Sequence, residues 1–200
     1  TGGREGSNSS SMRAPSMRSA AVFAALQEFG FLILKDHNVP VELLDRAYSL
    51  SQALFAQDTA EKLRYRGGLR GYTPFGTEHA KNNSYPDLKE FWQIGRELPP
   101  GVDYGENFPA NVWPQNLPEF RETFLALYAG LDETARLVLQ ALTPGLELTP
   151  DYFDGRVRNG NSILRLIHYP PVPPDAVTTS VSSTPPSVAV PVRVAAVVAS

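Results

Sequence analysis

SILRLIHY, residues 162–169, followed directly by Pro170-Pro171, is the stretch on which the fold turns. It is a short apolar run closed by two prolines, which cannot donate to a sheet ladder, so it predicts a strand over Ser162 to Tyr169. A strand needs neighbours, and two runs upstream can supply them. Phe31-Leu32-Ile33-Leu34 is apolar at every position, the pattern of a strand buried on both faces. Phe91-Trp92-Gln93-Ile94 is the second, and Pro99-Pro100-Gly101 breaks it. The strand at 162–169 is expected to pair with one of these.

Between the strands the periodicity is helical. Val22, Leu26 and Phe29 share a face, and Gly30 is a C-terminal stop. Pro40 suits the first turn of a second helix, whose inner face is Leu43, Ala47, Leu50 and Leu54. Asp58 and Glu61 have the spacing of an N-cap and its third helical residue, which predicts a short helix over Thr59 to Leu63. Residues 66–88 read as loop. Asn116, three residues before Glu119, predicts the start of the longest helix, lined by Phe120, Phe124, Leu127, Leu131, Val138 and Leu142 and ended by Pro144-Gly145. Thr149-Pro150 can cap a further short turn. Helices separating strands that are not sequence neighbours give an α/β (α+β) fold class.

Composition narrows the function. A net charge of -3, with 18 Lys and Arg scattered along the chain, gives no basic surface for nucleic acid. No apolar run approaches the ~20 residues of a membrane helix. The absence of cysteine removes disulfides, thiolate nucleophiles and Cys-based metal sites together, and suits a cytoplasmic protein. No Gly-x-Ser-x-Gly supports a hydrolase, and no Gly-rich phosphate loop follows a strand. Three regions follow: a Gly/Ser-rich tail at 1–18 expected to be disordered, a folded domain at 19–174, and a low-complexity tail at 175–200. Apart from Asp175 and Arg193, that last stretch holds only Val, Ala, Ser, Thr and Pro, as a shifted reading frame of GC-rich DNA would. It is expected to be loosely attached, although its β-branched stretch 188–198 could pair with an exposed sheet edge.

Six segments, in order, resemble the N-terminal domain of the isopenicillin N synthase-like Fe(II)/2-oxoglutarate-dependent oxygenases. They are FGFLILKDHNVP (29–40), LFAQDTAEKLRY (54–65), RGYTPFGTE (70–78), DLKEFWQIG (87–95), VWPQNLPEFRETF (112–124) and ILRLIHYPP (163–171). Asp36-His37-Asn38 departs from the family's Asn-His-Gly turn. The resemblance implies the helical and strand support region of a double-stranded β-helix (jelly-roll) oxygenase. The complete parent would use Fe(II) and 2-oxoglutarate on a small organic substrate. The family's His-x-Asp, later His and Arg-x-Ser motifs have no counterpart in this sequence, so the resemblance implies a chain cut off before most of the barrel, with no catalytic residue, no metal ligand and no cofactor of its own.

Two residues are candidates for substrate or co-substrate binding by that resemblance. Tyr169 stands where relatives direct a phenol into the pocket, and Arg70 stands near where some place a carboxylate-binding guanidinium. His168 lies on the strand without a carboxylate at ligand spacing and reads as a packing or hydrogen-bonded residue. His37 reads as a turn residue bonded to backbone, His79 as a solvated loop residue, and Asp87, Lys89 and Glu90 as strand-edge and loop charges. The rival to an enzyme fragment is a non-catalytic binding or regulatory module that keeps only the support domain; a His-x-Asp in another frame just past the codon for Pro174 would favour the enzyme. A third reading is a helical interaction protein. Substrate and oligomeric state are not encoded in any motif of the chain.

Overall fold

The structure is a computed structural model that describes residues 17–79, 86–102, 108–171 and 192–197, the last as backbone. Its elements are helix α1 (Met17–Phe29), helix α2 (Val41–Phe55), short helix α3 (Thr59–Leu63), strand β1 (Gly71–Thr73), strand β2 (Glu90–Gly95), long helix α4 (Phe120–Leu142), a 3-10 turn (Thr143–Leu146), short helix α5 (Asp154–Val157), strand β3 (Ile163–His168) and strand β4 (Val192–Val197). The strands form one antiparallel sheet in the order β1-β2-β3-β4. The α/β expectation holds, and β3 pairs with β2 as predicted, Glu90 opposite His168 and Gly95 opposite Ile163.

Alternation along β2 and β3 gives the sheet two unlike faces. Trp92, Ile94, Leu164 and Leu166 point to the helical side and are fully or almost fully buried, with Tyr72 of β1 beside them. Against them pack Ala47 and Leu54 of α2 and Phe120, Phe124 and Leu127 of α4, in one continuous core. Trp92 is its centre: its ring stands 5.8 Å from Tyr65 and 5.6 Å edge-on to Phe120, which in turn lies 4.4 Å from Phe124. Fully burying each of these side chains stabilises the fold by roughly 1.5–3 kcal/mol. Phe91, Gln93 and Gly95 of β2, with Arg165 and Ile167 of β3, occupy the other face.

Helix limits follow local chemistry. Gly30 adopts φ +72°, a left-handed conformation that glycine takes without penalty, and its N–H closes α1 on the Leu26 carbonyl at 3.0 Å. Pro40 is the N-cap of α2, and Asp58 that of α3, although the Asp58 side chain makes no capping bond. α4 starts at Phe120, not at Asn116. Pro118 rules out a start at Asn116, because its ring disfavours helical geometry at Leu117.

Three further expectations are corrected. Phe31–Leu34 is not a strand: among the described residues no strand pairs with it, and Phe31 and Ile33 are 60% and 83% exposed. An apolar run becomes a strand only where a partner strand meets it, and β2 and β3 are each already flanked on both sides by other strands. Within the stretch read as loop, Gly71–Thr73 pairs with Phe91–Gln93 as β1. Finally, residues 192–197 do not hang loose but form β4, antiparallel to all of β3, with Ile163 opposite Val197 and His168 opposite Val192. The edge-pairing alternative for that stretch is the one that holds. The rest of both tails lies outside the described residues, except that α1 reaches back to Met17.

Removing residues 175–200 strips β4 and bares a six-residue hydrogen-bonding edge on β3. The truncated chain is expected to self-associate in a concentration-dependent way, read by light scattering after size exclusion, while the full chain does so less. Equal monomer content for the two would contradict the pairing.

Candidate functional site

The helical face carries one charged group into the core. Glu90 opens β2 and shares the parity of Trp92 and Ile94, so its carboxylate points inward and is only 4% exposed. Donors from three elements satisfy it. Lys62 Nζ from α3 donates to both oxygens at 3.1 and 2.9 Å and also to the Phe55 carbonyl at the end of α2 (3.1 Å). The Tyr72 hydroxyl from β1 donates to Oε2. His168 Nδ1, directly opposite on β3, lies 2.7 Å from Oε1, and its ring stacks on Phe55 at 5.2 Å. Burial alone would raise the Glu90 pKa, but the donors Tyr72, His168 and Lys62 outweigh it and hold the carboxyl below its ordinary range. Tyr72 is pushed the other way, first by burial and then by the carboxylate it bonds. A cleft of about 360 Å³ opens beside this cluster, bounded by Phe75 and Pro170.

Sequence reasoning placed Glu90 among edge charges; the structure places it at the centre. The signal was available, since a residue two before Trp92 and four before Ile94 on one strand must face the same way. His168 is the hydrogen-bonded residue expected. His37 Nδ1 accepts the Val39 N–H at 3.3 Å, as a turn residue should, and His79 is an exposed loop residue.

The two candidate binding residues lie at opposite ends of the sheet. Arg70 is 2% exposed, its guanidinium lying against Gly95 so closely that a Cβ there would fall 2.0 Å from Nε. It donates to the Leu69 carbonyl at 2.8 Å and to Asn161 Oδ1 at 2.6 Å, and buried Nε has no acceptor among the described residues. Burial lowers its pKa, opposed in part by Tyr128. Tyr169 follows β3 at the other end, partly exposed. The intervening six-residue strands span roughly 20 Å, so the pair cannot grip one small group. Between them, on the face away from the helices, Arg165 lies 4.2 Å over the Phe91 ring and donates to Gln93 Oε1 at 3.2 Å.

With this geometry in view, comparison with known proteins gives the family. The chain belongs to the non-haem dioxygenase N-terminal family, whose model, described as "non-haem dioxygenase in morphine synthesis N-terminal", matches residues 7–116. The 2-oxoglutarate-Fe(II) type oxidoreductase hxnY of Emericella nidulans is 31% identical over 159 residues, which cover 73% of this chain and 45% of that protein. Validamycin A dioxygenase of Streptomyces hygroscopicus subsp. limoneus is 30% identical over 155 residues, covering 73% and 42%. A solved 2OG-Fe(II) oxygenase family protein from Caulobacter crescentus superposes with a TM-score of 0.70 at 41% identity, over 79% of this chain and 53% of that one. A full-length Neurospora crassa protein, solved in complex with alpha-KG, gives 0.62 at 28%, over 76% and 48%. The chain therefore spans about half the length of the relatives it matches, and is consistent with an N-terminal portion of a 2OG-Fe(II) oxygenase.

That family implies Fe(II) and 2-oxoglutarate. Among the described residues no three His, Cys, Asp or Glu side chains converge as a metal site. His37 and His168 each have a ring nitrogen engaged inside the fold. The described residues do not fit the iron, and no chemical step is derived through it. No helix among them is long and apolar enough to cross a membrane.

Glu90 contributes stability that is present above the ordinary carboxylate range and lost as pH falls through its lowered pKa. Lys62→Met or Glu90→Gln is expected to cost about 3–5 kcal/mol in chemical denaturation, because each strands a buried partner. The double variant Lys62→Met/Glu90→Leu should recover much of that loss and flatten the acid side of the stability profile. A double variant as unstable as the sum of the singles would show that the pair is not the source.

Proposed function

We propose that this chain is the N-terminal support portion of an isopenicillin N synthase-like Fe(II)/2-oxoglutarate-dependent oxidoreductase acting on a small organic substrate, and that by itself it does not turn over. The observation that carries this reading is the two-faced sheet. Helices α2 and α4 bury one face, and the other carries Arg165, Gln93, Phe91 and Ile167, with Tyr169 at its end. A face that mixes an aromatic ring with directed donors suits one wall of a small-molecule cavity.

In this reading Tyr169 offers a phenol to the cavity, in line with its exposure. Arg70 is the weaker candidate for a ligand carboxylate, since it would have to release Asn161 to take one. The metal and the co-substrate would be held by the barrel half. Relatives supply the chemistry by name: the Neurospora crassa protein is also solved with alpha-KG and thymine together, and JOX2 with 2OG, Fe and JA. Transfer of that chemistry to a parent of this chain is part of the proposal.

Joining residues 1–171 to the second half of the Caulobacter protein tests it. With Fe(II) and 2-oxoglutarate the chimera is expected to release succinate above a metal-free control. The chain alone is expected to release none and to show no saturable visible charge-transfer band on anaerobic Fe(II) titration. A one-to-one band from the chain alone, or a folded, iron-loaded chimera without succinate, would overturn the reading. The same join to the second half of the Neurospora protein guards against a mismatched seam.

A further inference from the structure

We propose that the cleft beside Glu90 is a binding site for a small, neutral aromatic hydroxyl compound, a phenol, whose O–H is accepted by His168 Nε2. The inference goes beyond the reading above and does not rest on it. His168 has the strand parity of the buried Leu164 and Leu166, so it faces the helices and not the opposite side of the sheet. The cleft measures about 360 Å³ and is walled by Phe55, Pro74, Phe75 and Pro170, with Tyr72 and His168 also lining it. Rings and prolines of this kind suit an apolar ligand body, and one directed polar atom sets its orientation.

The hydrogen bonds around Glu90 decide what that polar atom is. Lys62 Nζ has three protons and three acceptors, the Phe55 carbonyl and both Glu90 oxygens. The Tyr72 O–H is given to Glu90 Oε2. An ionised carboxylate only accepts, so the 2.7 Å contact to Oε1 places the His168 proton on Nδ1. Nε2 of the neutral ring is then a bare acceptor. It has no hydrogen-bond partner among the described residues, and the side chain keeps 17% of its surface open beside the cleft. Phe55, stacked on the ring at 5.2 Å and 24°, fixes its plane. A histidine serving Glu90 alone needs only Nδ1; Nε2 is the atom left for a ligand. The buried groups thus present one oriented acceptor and no free donor, and the Lys62 charge answers that of Glu90. Thr59, the remaining hydroxyl of the lining, stands exposed. A ligand that fits must donate and be neutral, since an anion would bring acceptors to an acceptor.

The test uses the full chain with nitrogen-15-labelled histidine, in which His37, His79 and His168 are the three imidazoles. Without ligand, long-range proton–nitrogen spectra are expected to show His168 protonated at Nδ1 and bare at Nε2. 2-Naphthol is then expected to move the His168 Nε2 resonance saturably and one-to-one. 2-Methoxynaphthalene, the same ring without the donor, should bind about tenfold more weakly, and so should the anion 2-naphthoate. His168→Phe keeps a ring against Phe55 and removes the acceptor. By naphthol fluorescence it should lose about tenfold in affinity and no longer distinguish 2-naphthol from its methyl ether. Phe75→Ala, at an exposed wall, should weaken both naphthalenes alike and leave the tautomer unchanged. It decides the matter if His168→Phe lacks a cooperative thermal transition. A proton on Nε2, no saturable shift, equal or tighter binding of the ether or of naphthoate, or 2-naphthol affinity unchanged in either folded variant overturns the proposal.

Discussion

A buried carboxylate holds this fold together. Glu90 costs several kcal/mol to desolvate if left alone. It is tolerable only because α3, β1 and β3 each bring a donor to it and α2 turns its last carbonyl toward the same lysine. Take any donor away and the carboxylate is under-satisfied; place all of them and the relative positions of these elements are set to within a hydrogen bond. The apolar core around Trp92 supplies most of the stabilisation, but apolar contacts are non-directional. Glu90 supplies register: it fixes which residue of β3 lies opposite the start of β2, and at what height α3 sits above the sheet.

Register matters because the sheet works on both sides. A slip of β3 by one residue against β2 would turn Leu164 and Leu166 outward and carry Arg165 and Ile167 toward the core. The Lys62–Glu90–His168 arrangement is incompatible with such a slip, since His168 faces Glu90 only in the observed pairing. The polar network on the helical side thus determines which side chains the other face presents. Structure and candidate function are connected through strand parity and not through any direct contact between Glu90 and the face it controls.

What the sequence disclosed follows the same division. Long periodic segments were legible: α2, α4 and the β2–β3 pair follow from apolar spacing, and α3 from Asp58 and Glu61. The failures have physical causes. Phe31–Leu34 has the composition of a buried strand but no strand partner among the described residues, and composition cannot report whether a partner lies alongside. β1 is three residues in a glycine-rich stretch, too short for a period to show. Glu90 was misplaced because a charged residue at a strand end is usually solvated; its parity with Trp92 was the stronger clue. Of the two binding candidates, Tyr169 lies where a ligand could reach it and Arg70 does not. Arg165 went unremarked because, flanked by leucines, it reads as one polar break in an apolar strand.

Phe29 and Phe31, with rings 6.4 Å apart, and Ile33 beyond them form an exposed apolar surface outside the core. Its residue types suit burial, in a chain that spans about half the length of its relatives. The helical layer is complete: the core from Val39 to Leu166 closes without help. The strand layer is extended by β4. A Val/Ala segment with no counterpart among the six family-like segments pairs along the whole of β3. Backbone pairing asks little of side chains beyond β-branching and freedom from charge, so such a segment can occupy a sheet edge.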